Sequence, residues 1–183
     1  YGGAQQWYDV TPDLSTHGKV VGGGGPMSCI AGRADIIGLS DPRLKGQESY
    51  TYFNGTLHGN PVAAAATMAM LDELGKPGVY ERMNGFADDL CRETQKVLDR
   101  HDIPAIAEHS RSLWQILFMD KTPRNQADVL ASDQASMRKL DTLLMKQGQY
   151  VLPGVRRFVS TVHTAEDLEQ TLRGLDAACR EFK

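Results

Sequence analysis

One lysine, Lys19, stands three positions ahead of four consecutive glycines, Gly22 to Gly25, in the stretch PDLSTHGKVVGGGGP. Glycine loses more conformational freedom on folding than any other residue, so a run of four is costly to order. A fold keeps such a run where the backbone needs dihedrals closed to other residues, or where something must approach the backbone closely. A lysine amine freed of its proton adds to a carbonyl to form a Schiff base. The lysine and the glycines therefore read as parts of one site. The plainer reading is a surface lysine beside a flexible loop.

The rest of the composition narrows the function classes. The 183 residues are 41% hydrophobic and 23% charged, the balance of an ordinary globular chain. A net charge of −3 leaves no basic footprint for nucleic acid or an anionic membrane. The longest apolar run, PVAAAATMAML, is too short to span a bilayer and reads as a buried helix. Three widely spaced cysteines, Cys29, Cys91 and Cys179, give neither a disulfide framework nor a metal pattern. Reduced thiols of a cytoplasmic protein are expected. The opening YGGAQQWYDV lacks an initiator Met and both the basic and the apolar parts of a signal peptide. It reads like the interior of a longer protein.

The element pattern is mixed. KVV, MSCIAG and SYTYF read as short strands in a glycine-rich first third, with RADIIGLS as one or two helical turns. Asn60 and Pro61 open a helix that Gly75 and Pro77 close. A second long helix spans 78–102, with Val79, Met83, Phe86, Leu90, Val97 and Leu98 at roughly helical spacing. SLWQILFMD reads as a strand, DQASMRKLDTLLMKQG as a helix, and QYVLP and RFVSTV as strands. The last helix follows Thr164, with Asp167 three residues on as a capping-box variant. This order is α/β or α+β, with a boundary between residues 77 and 78.

Two further segments carry candidate chemistry. FNGTLHGNP places Gly55 and Thr56 just ahead of a helix N-terminus, where backbone N–H groups and a hydroxyl suit an anion. A turn with a good N-cap is the plainer account. GVRRFVSTVHT sets Arg156 and Arg157 at the head of an apolar strand, where either could grip a carboxylate. His163 reads as a structural histidine, and the other four histidines show no metal spacing.

Together these segments resemble the C-terminal half of a class III, fold-type I, pyridoxal-phosphate (PLP) aminotransferase, closest to the glutamate-1-semialdehyde aminomutase branch. GGAQQWYDVTPDLSTHGKVVGGGGP is similar to that branch's GGAQ and PDLTTLGKVIGGG stretches, and NGTLHGNPVAAAATMAML to its GTLSGNP segment and alanine-rich helix. AGRADII, LLMKQGQYVLP and STVHTAEDLEQTL extend the resemblance over nearly the whole chain. It implies an α/β fold: residues 1–77 as the C-terminal part of the PLP-binding large domain, and 78–183 as a small α+β domain. It implies that Lys19 is catalytic and forms the Schiff base with PLP. It further implies that Gly55 and Thr56 reach a partner subunit's PLP phosphate across a homodimer. Arg157, nine residues before Glu166, resembles the arginine that grips the substrate carboxylate in many relatives, with Arg156 as the fallback.

The resemblance also has a departure and a gap. The mutase branch usually carries a glutamate where this chain reads LPGVRRF, which favours amino transfer between an amino acid or amine and a keto acid. An aminomutase is the runner-up, and a non-catalytic fragment with vestigial motifs is the third reading. The family's phosphate loop, ring-stacking aromatic and pyridine-pairing Asp have no counterpart here, so this chain alone is expected to be incomplete.

Overall fold

The computed structural model describes residues 1–182. The chain separates into two units, Tyr1–Val79 and the remainder from Tyr80.

The first unit opens with a short helix α1, Gly3–Trp7. Strand β1, Leu14–His17, pairs antiparallel with β2, Cys29–Gly32, in a register that sets Leu14 opposite Gly32 and His17 opposite Cys29. The glycine run lies in the connection between these strands. Helix α2, Ala34–Ile37, continues into two single 3-10 turns, and an irregular stretch leads to α3, Pro61–Leu74. The α3 boundaries follow from local chemistry. Asn60 accepts hydrogen bonds from Val62 N and Ala63 N, each at 3.0 Å, and Pro61 takes the first helical position, where its missing N–H costs nothing. Gly75 N donates to Leu71 O at 2.9 Å and closes the helix.

Two expected strands are absent from this unit. Lys19–Gly22, read as a strand through KVV, is a 3-10 turn. Lys19 takes φ +56°, which carries the chain out of the extended region, so the strand lies upstream at β1. The SYTYF segment pairs with no strand among the described residues and runs without regular structure.

The second unit holds the core. Helix α4, Val79–Arg100, leads to an antiparallel sheet of β3, Ile106–Ser110, β4, Leu113–Leu117, and β5, Arg157–Phe158, in that order. Between β4 and β5 lie α5, Gln126–Ala131, and α6, Gln134–Lys146; α7, Ala165–Phe182, ends the described chain. Leu98, Ile116, Met137, Leu140 and Leu175 are fully buried at the centre. Each such side chain stabilises the fold by about 1.5–3 kcal/mol.

Expectation and structure part in several places here, among them α5, which lies in a stretch assigned no element, and RFVSTV, of which only the first two residues are a strand. Strand β3 was not anticipated, because its sequence IAEHS alternates poorly and its turn to β4 carries Arg111 at φ +58° instead of a glycine or asparagine. QYVLP was expected as a strand and is irregular: Pro153 and Gly154, at φ +77°, turn the chain, and only Arg157 and Phe158 join the ladder. No helix among the described residues is long and apolar enough to cross a membrane.

Candidate active site

Lys19 follows Gly18 directly after β1 and opens the 3-10 turn. Its left-handed backbone is uncommon for a residue with a side chain and costs about 1–3 kcal/mol, a kind of strain that gathers at functional sites. The side chain is exposed, and its amine has no ion-pair partner among the described residues. The strain therefore places the amine without recovering anything through burial.

The glycines serve a neighbour on the same chain. Gly23, at φ +57°, is so close to α3 that a Cβ there would lie 2.5 Å from the Ala66 carbonyl oxygen. A Cβ on Gly25 would lie 3.4 Å from Ala63 Cα. Ala63 and Ala66 are the small residues that let the turn and the helix meet. The glycine run and the alanine-rich helix are two halves of one close contact, and this contact holds the Lys19 turn in place.

Gly55 and Thr56 lie in the exposed loop before α3. They line a cavity of about 730 Å³ with Pro26, Met27, Cys29 and His58; Lys19 is not among its lining residues. Asn54 Oδ1 accepts from Gly55 N at 2.8 Å, and Gly55 O accepts from His58 N at 2.9 Å. The Thr56 hydroxyl has no hydrogen-bond partner among the described residues. The α3 N-terminus is differently placed, because Asn60 already occupies two of its free N–H groups. An anion in this segment would therefore have to be met by the loop rather than by the helix end.

The two arginines differ sharply. Arg156 is exposed, whereas the Arg157 side chain is only 8% exposed. Arg157 lies over the Trp114 ring, its guanidinium carbon 4.8 Å from the centroid, and its Nη2 donates to Asp141 Oδ1. Asp141 sits on α6 and is 1% exposed; its second oxygen accepts from Gly154 N at 2.7 Å. Arg157 Nε and Nη1 are buried without a hydrogen-bond partner, a rare condition for strong donors. Both arginines line a cavity of about 440 Å³ with Phe86, Trp114, Tyr150 and Phe158. Burial pushes the Asp141 carboxyl above the ordinary carboxylate range, against the pull of Arg157 and the Gly154 amide. Burial likewise draws the Arg157 guanidinium below its ordinary value, opposed by Asp141. The Cys91 thiol is pushed up to about 12, chiefly by burial, and so is no nucleophile at neutral pH.

Asp141 was not singled out from the sequence, although one signal was there. It lies four residues after Met137 and three before Leu144, which puts a carboxylate on the apolar face of an amphipathic helix. His163 accepts a hydrogen bond from Ser160 N at 3.1 Å and packs on Phe86, the structural role expected of it.

A sequence model of the class-III aminotransferases matches residues 2–167. The chain belongs to that family. Solved structures extend the likeness to the fold of this class III chain. An ω-transaminase from Sphaerobacter thermophilus matches 99% of the chain at TM-score 0.83 and 24% identity, over 41% of its own length. A β-phenylalanine aminotransferase from Variovorax paradoxus matches 95% of the chain at TM-score 0.76 and 24% identity, over 40% of its length. A variant glutamate-1-semialdehyde aminomutase from Pseudomonas aeruginosa PAO1, in complex with PMP, matches 99% at TM-score 0.79 and 24% identity, over 42% of its length. The class III chain thus spans about two-fifths of the solved structures it matches. Its mixed α/β architecture is the corresponding part of the fold-type I transaminases.

Proposed function

We propose that this chain is the cofactor-lysine part of a longer, PLP-dependent aminotransferase that moves an amino group between an amino acid or amine and a keto acid. The observation that carries this reading is Lys19: an exposed amine on a strained turn that α3 holds in place. The residues present fit the cofactor, since Lys19 offers an unpaired amine to an aldehyde and Thr56 an unengaged hydroxyl to a phosphate. When bound, PLP supplies an electron sink for the pair of electrons released at the substrate α-carbon.

This chain's own residues have separate tasks. Lys19 would hold the cofactor through its amine and would carry the proton at the substrate α-carbon. Gly55 and Thr56 bind the phosphate from the neighbouring subunit of a homodimer. Arg157, in the wall of the 440 Å³ cavity, is the group assigned to the substrate carboxylate. The arginine pair, in place of a glutamate, favours transfer to an external keto acid over an aminomutase.

The test is reduction of the PLP-loaded full-length protein with borohydride, followed by peptide mass analysis. A pyridoxyl group on the Lys19 peptide is expected, and Lys19→Ala should lose both the label and all turnover. A label on another lysine, or a Lys19→Ala enzyme with wild-type turnover, overturns the reading. Turnover that needs no added keto acid would make the enzyme a mutase instead.

A further inference from the structure

We infer that His58 is the charge-bearing contact of the phosphate loop: its Nε2 takes up a proton and donates to the phosphate beside the Thr56 hydroxyl. The inference rests on the reading of Gly55 and Thr56 as the phosphate contact and deepens it.

A phosphate ester carries about −1.5 to −2 charge at neutral pH. A site that binds one supplies positive charge or several aligned N–H groups. The loop before α3 is short of both. Asn60 already occupies two free N–H groups at the start of α3, and Asn54 Oδ1 occupies that of Gly55. No lysine, arginine or carboxylate lines the cavity of about 730 Å³ that holds Thr56. Its ionisable lining groups are Cys29, on β2, and His58. Of these two only His58 can become a cation. The residue is also a departure, because the segment GTLSGNP, which this stretch resembles, has a serine where the chain has His58.

The contacts of the ring fix which nitrogen is available. His58 N donates to Gly55 O at 2.9 Å and closes the turn that carries Thr56. Phe53 packs edge to face on the imidazole, ring centroids 4.8 Å apart. Asn54 Oδ1 accepts from Gly55 N, and the same oxygen faces His58 Nδ1 at 3.3 Å. An amide oxygen has no proton to give, so Nδ1 donates. The proton of the neutral ring therefore sits on Nδ1, and Nε2 keeps a lone pair. Nε2 has no hydrogen-bond partner among the described residues. A lone pair repels a phosphate oxygen, whereas a proton there turns the same atom into a charged donor. Phe53 and Asn54, which pack on the ring, carry no charge, and Cys29 is the other titratable group in the cavity wall. Phosphate binding is thus linked to uptake of one proton at Nε2 and tightens as the pH falls through the range where histidines gain charge.

Fluorescence titration of the full-length protein, freed of cofactor, tests this with two probes, pyridoxal 5′-phosphate and pyridoxal. They differ only in the phosphate. Their dissociation-constant ratio is compared at about pH 6 and about pH 8.5, towards the two ends of the histidine range. His58→Ser restores the residue of the resembled segment. It should lose about tenfold of the preference for the phosphate at the lower pH, and little at the higher. Pyridoxal should bind this variant as it binds wild type, which also shows that the variant is folded. His58→Asn puts an amide where Nδ1 stands, so it keeps a donor for Asn54 and lacks Nε2; it should lose the same preference. A His58→Asn protein with the wild-type ratio at both pH values would make His58 a turn-shaping residue and overturn the inference. So would a loss in His58→Ser that is independent of pH, or one that pyridoxal shares equally. Thr56→Ala checks the premise separately. Loss of the phosphate preference there supports the loop as the phosphate contact, whereas an unchanged preference overturns that reading and this inference with it.

Discussion

Gly23 and Ala66 show at the scale of single residues what a glycine run can be for. The Gly23 backbone is left-handed, and the space where a side chain would begin is filled by a helix carbonyl, 2.5 Å from the ideal Cβ position. Neither the carbonyl nor the helix that carries it can give way cheaply. Gly24 is a natural control: at φ +89° it is also left-handed, but nothing lies within 4 Å of its Cβ position. Gly24→Ala should therefore cost only backbone strain, about 1–2 kcal/mol. Gly23→Ala adds overpacking and should cost about 2–4 kcal/mol. Urea unfolding of the two variants in the full-length protein measures the difference. Equal losses would mean that α3 does not press on the turn. The same variants bear on chemistry, because a displaced turn would move Lys19.

At the scale of elements, the N-terminus of α7 couples sequence to pH. Asp167 accepts from Thr164 N at 2.7 Å and from the Thr164 hydroxyl at 2.9 Å, and the backbone bond first, then the hydroxyl, hold its carboxyl below the ordinary range. A depressed folded value means that the charged form stabilises the folded helix. That contribution is complete above about pH 4, the unfolded value, and is lost as the pH falls through the lower folded value. Thr164→Ala should lower the melting midpoint by about 3 °C at pH 7. The difference from wild type should narrow at pH 3, below the unfolded value of the carboxyl. A difference that stays constant between the two pH values would exclude the carboxylate as its source.

This cap was legible in the sequence, as were α3, α4, α6 and α7, because each rests on local rules: a capping side chain, a stop residue and a helical apolar repeat. The strands were less legible. β3 carries no alternation and β5 is two residues long, so both exist only because β4 offers a partner on each side. The Lys19 motif stood out from its composition. The pairing of Asp141 with Arg157 joins residues sixteen positions apart through a fold that local patterns do not specify.

For the whole molecule, the two units are unequal in what they bury. Among residues 1–78 only Gly22, Ala63 and Thr67 are buried, and all are small. Tyr52, Phe53, Val62 and Met68 on that unit are exposed apolar side chains of the kind that marks a surface made to be covered. The second unit, by contrast, closes α4, α6, α7 and the β3–β4–β5 sheet around fully buried Leu98, Ile116, Leu140 and Leu175. Ordering each residue costs about 1–2 kcal/mol of backbone entropy, and only a sizeable apolar core offsets that. Residues 80–183 produced alone should therefore melt in one cooperative transition. Residues 1–79 alone should show none, with amide exchange close to that of an unfolded chain. This unit carries Lys19, Gly55 and Thr56, so their order would depend on surfaces outside residues 1–79. A cooperative melt of 1–79 in isolation would break that link between the stability of the Lys19 turn and the assembly of the site.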